Sequence, residues 1–159
     1  MSEGQRMAEL YRSIYEGDRQ GEAWHGPALK PLLKNVTADQ AAQPPKVGSH
    51  SILQLVLHMA YWEEVMLRRF NGEDVIAPLN SPDDWPSNRK VTAEEWQAAL
   101  RRLDSSHHAM RAAIANCPDE KLDQIVPGKN HNFYAVLHGI IHHCVYHSAQ
   151  AAILKRSLA

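Results

Sequence analysis

The sequence predicts an all-α fold: a bundle of four helices with a long crossover loop between the second and the third. Apolar residues recur at helical spacing in the stretches around Leu10, Leu55, Leu103 and Ile140, and nothing alternates with period two for more than a few residues. Capping-box signatures, a hydroxyl residue followed three positions later by Glu or Gln, stand directly before two of the long periodic stretches, at Ser51 and Thr92. At 159 residues, 44% of them hydrophobic and 22% charged, the chain has the size and make-up of one globular domain, residues 1–159.

The first helix spans 6–19, where Met7, Leu10, Tyr11, Ile14 and Tyr15 share a face, and Gly17 and Gly21 loosen the chain after it. A short helix, 27–35, is expected to start with Pro27 at its first position. Thr37 to Gln40 reads as a capping box opening one turn, which Pro44-Pro45 stops. Ser51 to Gln54 caps the second long helix, which runs to Phe70 and ends at Asn71-Gly72. About twenty residues carrying Pro78, Pro82 and Pro86 then form an irregular connection, long enough to cross the end of a bundle; loops of that length are usually functional or crossovers. Thr92 to Glu95 caps the third long helix, with Trp96, Leu100, Leu103, Met110 and Ile114 on one stripe as far as about Asn116, and Pro118 closes it. A loop with Pro127-Gly128 leads to Asn132, the cap of a last helix from Phe133 to about Lys155.

Charge narrows the function classes. With Lys+Arg 17 against Asp+Glu 18 and no basic run longer than a pair, the chain has no footprint for nucleic acid or an anionic membrane. The N-terminal residues are charged throughout and no run of about eighteen apolar residues occurs, so a cytoplasmic location is expected. The two cysteines, Cys117 and Cys144, make no disulfide framework. Histidine is abundant, at ten.

Their placement carries the chemistry. Counting about 100° per residue from His143, His147 falls near 40°, between Val136 and Leu154 near 20° and Ala151 near 80°, in the middle of the buried stripe. His138 and His142, at the same spacing, lie more than about 90° away and face solvent. On the second long helix His58 shares a face with Leu55, Trp62, Val65 and Met66. Three imidazoles turned into one apolar interior need partners, because an unpaired buried polar group costs about 1–3 kcal/mol. One divalent ion satisfies all three: His143 and His147 grip it from one helix, His58 from another, and the fourth position stays open to water. The plainer alternative is three separate core histidines, each hydrogen-bonded to a carbonyl or hydroxyl. Other metal chemistries fail on residue type. The last helix holds no Asp or Glu for a carboxylate-bridged di-iron site, and Cys144 stands where a zinc protease needs Glu.

The run from His138 to Lys155, with Gln150, resembles the closing helix of the DinB-like superfamily, the YfiT-type metal-dependent proteins. Trp24 to Leu29 resembles that family's opening segment, and His50 through His58 with Trp62 its second helix. The Asp84-Trp85-Pro86 loop, Trp96 and the stretch Leu103 to Met110 fit as well, so the likeness covers nearly the whole chain. It implies a four-helix bundle, often a homodimer, with a three-histidine metal site that maps onto His58, His143 and His147. Some members are thiol-dependent transferases or isomerases in which the metal activates a small thiol; many have no assigned activity. Two positions depart from many relatives: Cys144 replaces an Asp directly after the first histidine of the pair, and Ala149 replaces a Gly just before the glutamine. If that Asp serves as a base, Cys144 replaces it at neutral pH only with a lowered thiol pKa.

Further pocket candidates are Gln150, placed to orient a ligand or bound water or else to bridge helices; Trp62 and Trp24, as pocket walls or core; Cys144, as a small core hydrophobe or a reactive thiol; and His107, on the inward stripe of the third helix. His25 and His50 lie near helix starts, where capping or exposure competes with an approach to the site. The expected function is metal-dependent transfer or hydrolysis on a small electrophile. Zinc or nickel would be the cofactor, with or without a low-molecular-weight thiol, and the partner would be a small-molecule substrate. Two readings compete with it: a non-catalytic metal-binding or dimeric stress-response bundle, and a bundle without metal.

Overall fold

The computed structural model describes residues 1–44 and 50–158. Four long helices form the bundle: α1 (Glu3–Glu16), α4 (Ile52–Phe70), α5 (Ala93–Ala115) and α7 (Phe133–Ser157). Shorter pieces connect them: the two-residue strands β1 (Glu22–Ala23) and β2 (Gly26–Pro27), and helices α2 (Leu29–Leu33), α3 (Ala38–Ala41) and α6 (Asp119–Leu122). The helices start where local chemistry starts them. Ser51, Thr37 and Thr92 each form a complete capping box with the Gln or Glu three residues on, and the Asn132 side chain accepts from the Ala135 amide.

Several expected boundaries move. The first helix begins at Glu3, capped by Ser2, and ends at Glu16, because Gly17 adopts φ 77, where a side chain would be strained. Pro27 does not open a helix: it lies in β2, paired antiparallel with β1, and helix α2 starts two residues later behind Ala28. Pro118 ends α5 as expected but also caps the short α6, whose four residues are too few to show a period. The stop expected at Pro44-Pro45 falls partly outside the described residues.

Helix α4 occupies the centre, packed against both α5 and α7, while α1 covers α5. An amphipathic helix buries one stripe; a helix with neighbours on two sides buries most of its surface. On α4 the buried set accordingly includes Gln54, His58, Glu63 and Arg69 beside its apolar residues. Trp96, 1% exposed, packs into the core and spends its indole N–H on the Val36 carbonyl at 2.7 Å, which ties the α2–α3 segment to α5. Residues 71–91, between α4 and α5, form the irregular crossover and return across α4 beside His58.

Candidate metal centre

His58 from α4 and His143 and His147 from α7 converge, with one ring nitrogen of each within 4.8 Å of the others. His58 Nε2 and His143 Nε2 stand 2.9 Å apart. The far nitrogens are held. His58 Nδ1 donates to Asp84, whose Oδ1 lies at 2.7 Å and whose carbonyl lies at 3.1 Å. His147 Nδ1 donates to Gln150 Oε1 at 2.7 Å, one turn along α7. A proton fixed on Nδ1 leaves the Nε2 lone pair of both rings free to face the shared point. Carboxylate or amide support behind a ligating imidazole is the usual way a protein sets ring orientation and tautomer. These residues therefore suit a divalent ion: three neutral nitrogen donors, two with an oriented second nitrogen, and bonds of about 2 Å to bridge.

Burial supplies the neutral form. It lowers the His143 pKa to about 3 and the His147 pKa to about 4, reinforced at each by the neighbouring histidines. At His58 burial also lowers the pKa, against the pull of Asp84. The folded cluster thus refuses protons that the unfolded chain accepts near the ordinary value of 6.5. The cluster's contribution to the stability of metal-free protein is full above that value and is lost as pH falls from 6.5 through about 4 toward about 3. Thermal melts at about pH 7 and about pH 5 should show a lower midpoint at the acidic value, with the difference reduced in a His143→Ala, His147→Ala double variant. An equal shift in that variant would place the acid sensitivity elsewhere.

The crossover loop contributes the rest of the site. Asp84, 2% exposed, accepts from the Trp62 indole at 2.7 Å and from the Asn80 amide at 2.7 Å besides holding His58. Trp85 lies flat on the His58 ring, centroids 3.7 Å apart at 10°, and carries His50 on its other side at 3.5 Å and 8°. A cavity of about 750 Å³ opens beside the cluster, lined by all three histidines, Trp62, Trp85 and the apolar side chains of Met66, Val136 and Ile140.

The remaining candidates separate. Trp62 does wall this cavity. Gln150 bonds to His147 on its own helix and, among the described residues, neither bridges helices nor lines the cavity. Cys144 is 3% exposed in the core, outside the cavity lining, and burial together with Glu63 pushes its thiol pKa well up, which suits a small hydrophobe and not a base. His107 is wholly buried on the far side of α4, stacked on Tyr15 at 3.9 Å; its Nδ1 stands 3.5 Å from Glu63, too long for a formed hydrogen bond, and both ring nitrogens lack a partner among the described residues. Trp24, fully exposed at the β1–β2 turn, is neither pocket nor core. His25 and His142 are exposed and His138 is half-buried.

Sequence reasoning missed Asp84 and Arg69 as members of the site; His50, for which an approach to the site was one of the alternatives, stacks on Trp85 beside it. Loop residues carry no period, so nothing local marked Asp84 or the stacking of Trp85. Arg69 did carry a signal: eleven residues from His58, it falls about 20° from it on the same face of α4.

The sequence profile of the DinB superfamily matches residues 23–151. Searches of curated proteins and of solved structures found no match. No helix among the described residues is long and apolar enough to cross a membrane. With a match over most of its length and three histidines that could hold a metal ion at the heart of a helical bundle, the chain belongs to the DinB superfamily.

Proposed function

We propose that this protein is a metal-dependent enzyme that uses His58, His143 and His147 to hold one zinc or nickel ion and carries out transfer or hydrolysis on a small electrophile. One observation carries the reading: three imidazoles, two buried and one half-buried, two of them with their far nitrogens held by Asp84 and Gln150, meet beside a cavity of about 750 Å³ that is large enough for a small molecule. A divalent ion on three imidazoles supplies Lewis acidity and lowers the pKa of a bound water or thiol toward neutrality. The chain's own residues do the remainder. Asp84 and Gln150 hold the rings in the ligating tautomer, and Trp85 clamps His58 from the side. Met66, Val136 and Ile140 exclude water around the reacting atoms and offer an apolar body a surface to lie on. Among the described residues no acidic side chain other than Asp84 lines the cavity, and Asp84 is engaged with His58, Trp62 and Asn80. The nucleophile is therefore taken to be activated without a separate carboxylate base, which favours a thiol, already acidic, over water. The reading further takes the protein to be a single domain, from its length and composition, cytoplasmic, from its charge and hydropathy pattern, and a homodimer, following the family resemblance.

Metal content by mass spectrometry tests this first. Tag-free protein dialysed against a weak chelator should retain about one equivalent of zinc or nickel. Protein that holds none, even after either metal is added back, overturns the proposal. Protein with metal should then be screened with low-molecular-weight thiols and electrophiles.

A further inference from the structure

Arg69 stands at one side of the same cavity, 7% exposed and on the same face of α4 as His58. One guanidinium nitrogen, Nη2, donates to the Val75 carbonyl at 3.0 Å. Its Nε is buried and has no partner among the described residues. A guanidinium stays charged under all ordinary conditions, so an unmet buried one is costly to keep. Asp74, the nearby acidic group, acts on it only through space and is itself exposed. The Trp62 ring lies 5.9 Å from the guanidinium carbon, so one indole links Arg69 to the Asp84 that holds His58.

We infer that Arg69 is an anion-binding residue of this cavity and that the substrate of the proposed metal site is a small organic carboxylate with an apolar body. The inference rests on the proposed function for what happens at the histidines, but the anion subsite itself stands on Arg69. A single cation with donors to spare matches a single negative charge, and a carboxylate offers the planar acceptor pair that a guanidinium reads. The only lining carboxylate among the described residues, Asp84, has both oxygens engaged, so it does not supply the counter-charge. Eleven residues of helix separate the Cα atoms of His58 and Arg69 by about 16 Å, and a helical side chain leans back toward the N-terminus, which brings the guanidinium toward the histidines. Between the two ends lie Met66, Val136 and Ile140, the surface for the apolar middle of the ligand.

The test titrates hexanoate and hexanamide, equal in size and different in charge, onto wild-type protein and Arg69→Gln. It reads the fluorescence of the cavity tryptophans Trp62 and Trp85 in both metal-free and metal-loaded samples. Wild type should bind the carboxylate about tenfold or more tighter than the amide even without metal, and Arg69→Gln should bind both alike. Arg69→Lys, which keeps the charge but not the fork, should retain part of the preference, and it stands in if Arg69→Gln fails to give a cooperative melt. No preference in metal-free wild type overturns the inference, as does a preference that survives in Arg69→Gln. Metal content measured on the same samples decides the proposed function separately: a carboxylate preference in protein that takes up no metal keeps the anion subsite and removes the enzyme reading.

Discussion

His143→Ala is expected to abolish uptake of a divalent ion while leaving the fold standing. His143 is half-buried at the cavity, and its removal takes out one of the three donors; His58 loses its 2.9 Å contact with His143 but keeps Asp84, and His147 keeps Gln150. The cost in metal-free protein should be small, about 1 kcal/mol or less, because the lost ring was held in a depressed, proton-refusing state by burial and by the neighbouring histidines. The gain from metal should vanish. An ion present at about a hundred times its dissociation constant stabilises the species that binds it by about 2.7 kcal/mol. For a chain of this size that corresponds to a rise in melting temperature of roughly 6–10 °C. Calorimetry with and without added zinc or nickel should therefore show this rise in wild type and none in His143→Ala. A variant that still shifts by the same amount would mean that the ion sits elsewhere.

Glu63→Ala should do the opposite: leave the metal ligands in place and break the fold. Glu63 is 3% exposed on the face of α4 turned away from the histidines, and it accepts from the hydroxyls of Tyr11 on α1 and Ser106 on α5. Burial, with Glu63 beside it, raises the Tyr11 pKa well above its ordinary value, so that phenol remains a donor throughout the accessible pH range. Removing the carboxyl leaves the buried Tyr11 hydroxyl unpaired and Ser106 with only its bond to the Leu103 carbonyl, next to His107, whose nitrogens lack partners among the described residues, and opens a cavity where three helices meet. Loss of about 3–5 kcal/mol is expected, seen as a fall of roughly 10 °C in melting temperature. Glu63→Gln keeps an acceptor and should lose less. A Glu63→Ala protein within about 1 kcal/mol of wild type would show that this network does not hold α1, α4 and α5 together.

These two residues also show where sequence reading reached and where it stopped. His143 was legible because its meaning lies in a local regularity: a spacing of four on a helix whose apolar residues share that face. Glu63 was not. It falls about 140° from His58, on a face that a one-sided helix would show to solvent, and only the position of α4 between α5 and α7 buries it. Trp24 fails in the reverse sense, an aromatic that composition assigns to core or pocket and that the β1–β2 turn holds in water.

By itself the sequence determined the helical class, the starts of α4, α5 and α7 through their caps, the crossover between α4 and α5, and the three histidines that could hold a metal. Capping, turn chemistry and the 3.6-residue period act over a few neighbouring residues, so they can be read from neighbours alone. The tertiary structure alone decided that Asp84 and Trp85 reach back 26 and 27 residues to hold His58, that Gln150 turns onto His147, that Glu63 finds Tyr11 52 residues away, and that Arg69, beside the cavity, is left with an Nε that has no partner among the described residues. Those pairings depend on which faces of separate helices meet, and on a loop whose path no period describes, and both are settled only when the whole bundle packs.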